Sequence, residues 1–291
     1  MNNPLMTGAD IMLCVAEFVH DNQYLFFASV SREWRHAWRH RPTVTSALTS
    51  TTSASQLAHS FRCGLQRGVG ICGSIASMGR LDLLESARAS GCPWDGSTQH
   101  GCPWDEDTCY MAASRGHLDV LQWARANGCP WDELTCTGAA KGGKLEVLQW
   151  ARSNGCPWDE MTCVGAAAGG HLDILQWVRA NGCPWDAWTC SAAANMGRVD
   201  ILRWARAHGC PWNEEICGAA AEGGHLSILQ WARANDCPWD EATCGLAAEG
   251  GHLAVLQWAQ SKGCPWDEAT CSGAATGGHL DVLQWVRANG C

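Results

Sequence analysis

GCPWDEMTCVGAAAGGHLDILQWVRAN, residues 155–181, decides the fold, because the same 27 residues return with small changes along most of the chain. The pentapeptide G-C-P-W-D begins at Gly101, Gly128, Gly155, Gly182 and Gly263 and recurs in varied form at Gly209 and Asp236, so seven copies tile residues 101–289 without a gap. One short peptide copied this often marks a repeat array, in which each unit buries its apolar face against its neighbours. The copying also explains 18 Trp, 19 Cys and 32 Gly against four Phe and two Tyr in 291 residues.

Numbering the unit 1 to 27 from its first Gly gives nearly every fixed position a local reason. Asp at position 5 (Asp105, Asp132, Asp159, Asp186, Asp240 and Asp267, with Asn213 in the fifth unit) precedes a short helical run and caps the free N–H groups of its first turn. Trp at position 4 and Cys at position 9 then stand at the two ends of a hydrophobic staple, Trp104 over Cys109 and so on along the array. The Ala-Ala pair at positions 12 and 13 admits close packing, and Gly at position 16, from Gly116 to Gly278, supplies the left-handed residue that ends a helix of about three turns. A second helix spans positions 17 to 27. In the first unit Leu118, Val120, Leu121, Trp123 and Ala124 are apolar, leaving Asp119, Gln122 and Arg125 as one narrow polar stripe. Such a helix must touch its own partner and both neighbouring units, and Gly at position 1 with Pro at position 3 stops it.

The run T-C-x-x-A-A-x-x-G-H-L-x-V-L-Q-W-A-R-x-N-G resembles the ankyrin repeat. The resemblance implies an all-α, ankyrin-like helical-hairpin solenoid over residues 64–291, with the first helices lining a concave side that binds protein. Three departures stand out: the unit is 27 residues where about 33 is usual, Cys replaces the Pro after Thr, and C-P-W-D replaces the β-hairpin finger, so compact tips are expected. This short Trp- and Cys-rich form is similar to ankyrin-like arrays of brown algae, oomycetes and large algal viruses.

Residues 64–90 follow the same frame from Cys72 to Arg88, with Ser86 where Trp belongs and Leu65 where the first Cys belongs, and read as an eighth, degenerate unit shaped as a terminal cap. The pentapeptide then occurs twice ten residues apart, at Gly91 and Gly101, which makes 91–100 either an insertion or the scar of a lost unit. At the other end Cys291 follows a full unit and leaves Leu283 and Trp285 without a polar cap, as in a truncated or partner-covered array. Residues 43–63 are rich in Ser and Thr and read as a linker.

Ahead of that linker, residues 1–42 carry Ile11-Met12-Leu13 to Phe18-Val19 and then Leu25 to Val30-Ser31-Arg32-Glu33-Trp34-Arg35, a pattern that resembles an F-box although the family's opening Leu-Pro is missing. The resemblance implies docking through Leu13, Phe18, Leu25, Val30 and Trp34 onto the small adaptor of a cullin-type ubiquitin ligase. The plainer alternative is that these helices only cover the first unit.

Lys and Arg number 20 against 29 Asp and Glu, and the net charge of −9 is wrong for a protein that grips a phosphate backbone or an anionic membrane. No run of about 18 apolar residues is present, and Ile11–Ala16 is cut by Glu17 before it reaches signal-peptide form. A cytoplasmic or nuclear chain with reduced thiols is expected. Cys at positions 2 and 9 with His at position 17 invites a zinc reading. Lys144 and Arg198 replace that His in two units, however, and intervals of seven and eight residues are not metal knuckles, so neither metal nor cofactor is expected. Identical positions of stacked helix pairs lie about 8–10 Å apart, beyond the ~7 Å a disulfide spans between Cα atoms. The cysteines therefore read as small buried hydrophobes, and a zinc- or redox-responsive role is an outside reading. A nucleophile copied with its surroundings into every unit argues for architecture, so no enzyme is expected.

The positions that differ between copies carry any specificity. Asp107, Leu134, Met161, Trp188 and Glu215 at position 7, Tyr110 and Val164 at position 10, and Lys141, Asn195, Glu222 and Glu249 at position 14 fall on one face of the first helices. An apolar centre beside acidic groups suits a protein partner with apolar anchors and some basic character. The expected protein is a monomeric interaction module, either a ubiquitin-ligase adaptor or a plain scaffold or inhibitor.

Overall fold

Every helix that the repeat pattern predicts among the described residues forms. The computed structural model describes residues 53–54, 71–89 and 106–290. The F-box-like stretch 1–42 with Leu13, Phe18, Leu25, Val30 and Trp34, most of the linker and residues 91–100 lie outside them. The chain divides into two units, Met1–Trp104 and Asp105–Cys291.

In the first, α1 (Ile71–Ser77) and α2 (Leu81–Ala89) make the hairpin expected of the degenerate repeat. Ile75, Ala76, Leu83, Leu84 and Ala87 are fully buried, and Gly79 turns the chain at φ 69°. Ser86, standing where the regular repeats have Trp, donates through Oγ to the Ala54 carbonyl at 3.1 Å. Arg80 and Asp82 form an ion pair of 2.7 Å at the head of α2.

The second is a row of seven helical hairpins. Their first helices are α3 (Glu106–Arg115), α5 (Glu133–Lys141), α7 (Glu160–Gly169), α9 (Ala187–Asn195), α11 (Glu215–Glu222), α13 (Glu241–Glu249) and α15 (Glu268–Thr276). The second helices are α4 (Leu118–Ala126), α6 (Leu145–Ser153), α8 (Leu172–Ala180), α10 (Val199–Ala207), α12 (Leu226–Ala234), α14 (Leu253–Ser261) and α16 (Leu280–Ala288). Successive first helices lie against one another, while each second helix packs mainly on the first helix of its own repeat. The described residues are thus an all-α, ankyrin-like helical-hairpin solenoid with no strand, and none of their helices is long and apolar enough to cross a membrane.

Capping follows the sequence with two corrections, at Asn213 and at Asp240, which stands at the N-cap of α13 without a side-chain hydrogen bond. Asp132, Asp159, Asp186 and Asp267 accept from the N–H two residues on, at 2.9–3.1 Å. In the fifth repeat Asn213 does not cap: α11 starts at Glu215 after Glu214, and the buried Asn213 Oδ1 has no partner. At the other end of the first helix, Gly at position 16 takes φ of 72–88° in all seven repeats. The N–H of position 17 then closes on the carbonyl of position 12, as in His117 to Ala112 at 3.0 Å and His225 to Ala220 at 2.8 Å.

The core is narrow and repetitive. Position 21, from Leu121 to Leu256, and the Ala-Ala pairs from Ala112–Ala113 to Ala247–Ala248 are fully buried. Only in the last repeat does the apolar side open, with Leu280 65% exposed. The first helices approach so closely that a Cβ on Gly142 would lie 2.0 Å from the Ser114 carbonyl oxygen, one on Gly223 2.2 Å from that of Asn195, and one on Gly277 2.1 Å from that of Glu249. Position 15 is therefore Gly in five of the seven repeats, with Arg115 and Met196 in the other two, because neighbouring backbones touch there. The second helices end at position 1, and there Asp236 takes φ 59° where five other repeats place Gly at 78–86°. A Cβ on those glycines meets nothing within 4 Å, so the strain at Asp236 is purely conformational. Asp236→Gly should raise stability by up to about 1 kcal/mol, the left-handed penalty less the added freedom of Gly in the unfolded chain; urea denaturation of the two proteins measures it.

Candidate partner-binding surface

The variable stripe lies where the sequence places it in chain order, and its members differ in exposure. Asp107, Leu134, Lys141, Met161, Trp188, Glu215, Glu222 and Glu249 are exposed, whereas Tyr110, Val164 and Asn195 are half-buried. Position 7 lies in the first turn of each first helix, and in the second, third and fourth repeats it presents Leu134, Met161 and Trp188 at 43%, 43% and 62% exposure. A row of large apolar side chains on three consecutive repeats is more than the scattered exposed hydrophobics of an ordinary surface. Asn195 and Glu222, at position 14 of consecutive repeats, are joined by a hydrogen bond of 2.9 Å from Asn195 Nδ2 to Glu222 Oε2. Tyr110 lies across Gly138 of the next first helix, where a Cβ would sit 2.7 Å from its ring. The sequence reading missed Met111 and Met196, 37% and 51% exposed at positions 11 and 15, because it did not follow those positions.

Beneath the stripe, the fixed residues are spent on the seams between repeats. His at position 17 reaches back to the preceding repeat, with Nε2 donating to the position-14 carbonyl: His225 to Asn195 and His252 to Glu222, both at 2.9 Å. The imidazole occupies space left by the position-16 glycine of the preceding repeat and the position-15 glycine of its own: a Cβ on Gly143 would sit 2.6 Å from His171 Cε1 and one on Gly169 2.7 Å from His171 Cδ2, and a Cβ on Gly224 would sit 2.5 Å from His252 Cε1. This explains why Gly-Gly and His recur together. Lys144 lays its aliphatic stem over Gly116 at the same place, and Arg198 its guanidinium end over Gly170. Among the described residues no three His, Cys, Asp or Glu cluster to hold a metal ion.

The ring partner of the position-4 indole is the Trp at position 23 of its own repeat. Ring centroids of Trp131–Trp150, Trp158–Trp177, Trp185–Trp204, Trp212–Trp231 and Trp239–Trp258 are 5.8–6.0 Å apart and edge-on. Arg at position 25 of the preceding repeat covers the other side: the guanidinium carbons of Arg125, Arg152, Arg179 and Arg233 lie 4.0–4.2 Å from the centroids of Trp131, Trp158, Trp185 and Trp239. Each of those arginines also donates to the carbonyl at position 2. Arg125, assigned above to a solvent stripe, is therefore half-buried in a seam. In the sixth repeat Gln260 takes its place.

The cysteines meet in a register that comparing identical positions could not show. Position 9 of one repeat contacts position 2 of the next, with Cys109 Sγ donating to Cys129 Sγ at 3.6 Å. The position-2 thiol of Cys156, Cys183, Cys210, Cys237 and Cys264 donates in turn to the position-5 carbonyl of the preceding repeat at 3.2–3.4 Å. The shared proton splits the pairs. The hydrogen bond to the next repeat's cysteine, with burial, pushes the Cys190 and Cys217 thiols up, while the same bond holds Cys210 and Cys237 down. At Cys244–Cys264 the order reverses, with Cys264 pushed up. That is the pair preceded by Gln260, where Arg206 and Arg233 precede Cys210 and Cys237.

No family model matches the chain, and no curated protein matches it. Among solved structures, the ankyrin repeat domain of human ASB11 is similar over 68% of this chain and 99% of that chain, at 16% identity and a TM-score of 0.46.

At one fixed position five hydroxyls serve no polar purpose in these seams. The hydroxyls of Thr135, Thr162, Thr189, Thr243 and Thr270 at position 8 are buried without a hydrogen-bond partner, and Ile216 fills the same place in the fifth repeat. An unpaired buried hydroxyl costs about 1–3 kcal/mol. Thr162→Val should therefore raise stability by about 1 kcal/mol, read from the shift of the urea midpoint at unchanged slope.

Proposed function

We propose that the array is a non-enzymatic protein-binding scaffold that takes its partner along the position-7 row of the first helices. The exposed row Leu134, Met161, Trp188 supports this reading, with Glu215, Glu222 and Glu249 giving its far end an acidic border. First helices packed more closely than second helices curve a stack toward the first-helix side, which makes this the concave face. Anchors repeat at the helix–helix distance of about 8–10 Å. An amphipathic partner helix matches that interval with apolar residues at i, i+7 and i+14, roughly 10.5 Å apart, and basic residues toward the glutamates complement the border. The scaffold works as a monomer in a reducing compartment, cytoplasm or nucleus. In the full-length protein, Met161→Ser with Trp188→Ser should weaken capture of partners from a source-related extract at least ten-fold, as expected for central apolar anchors, while the thermal midpoint stays put. Equal capture by both proteins would refute the row as the binding face.

The Val30–Arg35 sequence favours a second role for the N-terminus, presentation of the captured protein to a cullin-type ubiquitin ligase. Substituting Leu13 and Trp34 with Ala should then abolish co-capture of ligase components and leave array partners in place. Partners retained with no ligase component in either sample would leave a plain scaffold.

A further inference from the structure

Two cysteines per repeat are more than filling requires, since Ala fills positions 12 and 13 of the same core. Position 9 of one repeat and position 2 of the next lie twenty residues apart in the chain and meet sulfur to sulfur. Cys109 and Cys129 do so at 3.6 Å, and hydrogen-bonded pairs at the same positions join Cys136 to Cys156, Cys163 to Cys183, Cys190 to Cys210, Cys217 to Cys237 and Cys244 to Cys264. All twelve are buried free thiols. Two soft donors without a third nearby make a poor metal site, and no larger cluster is present among the described residues. Two thiols already in contact across a seam are instead arranged to form one bond.

We propose that these six pairs are oxidisable dithiols, each closing a disulfide that ties one repeat covalently to the next when a hydroperoxide reaches it. One sulfur, as thiolate, attacks the peroxide: an S–O bond forms, the O–O bond breaks, and the departing hydroxide takes up a proton as water, leaving a sulfenic acid. The neighbouring thiol displaces the sulfenic hydroxyl, the S–S bond forms, and its proton leaves with that hydroxyl as a second water. Two thiols and one hydrogen peroxide become a disulfide and two waters; the sulfurs lose two electrons and the peroxide oxygens gain them. Peroxide is small enough to enter when a seam opens locally. The second sulfur stands where it intercepts the sulfenic acid before another peroxide arrives, so oxidation stops at the disulfide. Cys210 and Cys237, whose thiols are held down, are the attacking members of their pairs. Each link closes a loop of about twenty residues, restricts the unfolded chain and stiffens the stack.

The test is treatment of the reduced full-length protein with hydrogen peroxide, blocking of remaining thiols, digestion with trypsin and Asp-N without reductant, and mass spectrometry. The expected result is the six position-9 to position-2 links in preference to other pairings, with a thermal midpoint raised by several degrees and restored by dithiothreitol. Cys163→Ala with Cys183→Ala should lose that one link and keep the other five. Sulfinic acids at these cysteines, a different pairing, or thiols that stay unmodified in the folded protein while the same peroxide oxidises the denatured chain would each overturn the proposal.

Discussion

Contact between neighbouring backbones at the first-helix turn is the constraint on which the rest of the array depends. Gly142, Gly223 and Gly277 leave no room for a Cβ against the preceding carbonyl, so adjacent first helices sit as close as helices can. Once they do, the position-14 carbonyl of one repeat comes within reach of the position-17 imidazole of the next, and the ring lies in the space that the glycines at positions 16 and 15 leave open. On the far side the second helices stand further apart, and the gap is filled by the bulkiest layer of the unit, Arg over Trp over Trp. Small residues on one side and large ones on the other give the stack its asymmetry.

A seam is therefore built from a thiol pair, a residue at position 17 laid over the preceding turn and a cation over an indole that is itself paired edge-on within its repeat, with Lys144, Arg198 and Gln260 as local departures. An aromatic pair contributes about 0.5–1.5 kcal/mol beyond area burial and an exposed cation–π contact about 0.5–1 kcal/mol. Seam energies in a solenoid add by nearest neighbours. A single repeat would bury too little to fold alone, and stability grows with each repeat added. Departures such as Asp236, Gln260 and Asn213 are tolerated because each weakens one seam or one cap among several.

Much of this was legible in the sequence because helix starts and stops are local. Asp132 caps and Gly116 turns left-handed for reasons contained within a few neighbouring residues. Contacts between repeats were not legible, because a repeat sequence does not say which position of one copy faces which position of the next. Comparing identical positions put the cysteines too far apart. The actual register pairs position 9 with position 2 of the following copy, and the same offset turns Arg125 from a solvent residue into a cover for Trp131. The exposed row at position 7 was readable from variation among copies, but its half-buried members Tyr110, Val164 and Asn195 needed coordinates.

The division of labour between fixed and variable positions follows from the seams. Cys, His, Trp and Arg have their side chains engaged in or beside the seams and Gly leaves room for them, so these positions vary little, with Lys144, Arg198 and Gln260 as the exceptions. That leaves the outward edge of the first helices, where position 7 runs from Asp107 through Leu134, Met161 and Trp188 to Glu215 without disturbing any seam. A surface built this way can change chemistry repeat by repeat while the scaffold beneath keeps its spacing, and recognition can then be tuned independently of stability. The thiol pairs lie on the scaffold side of that division, so closing them would change how rigidly the row is held and leave its chemistry as it was.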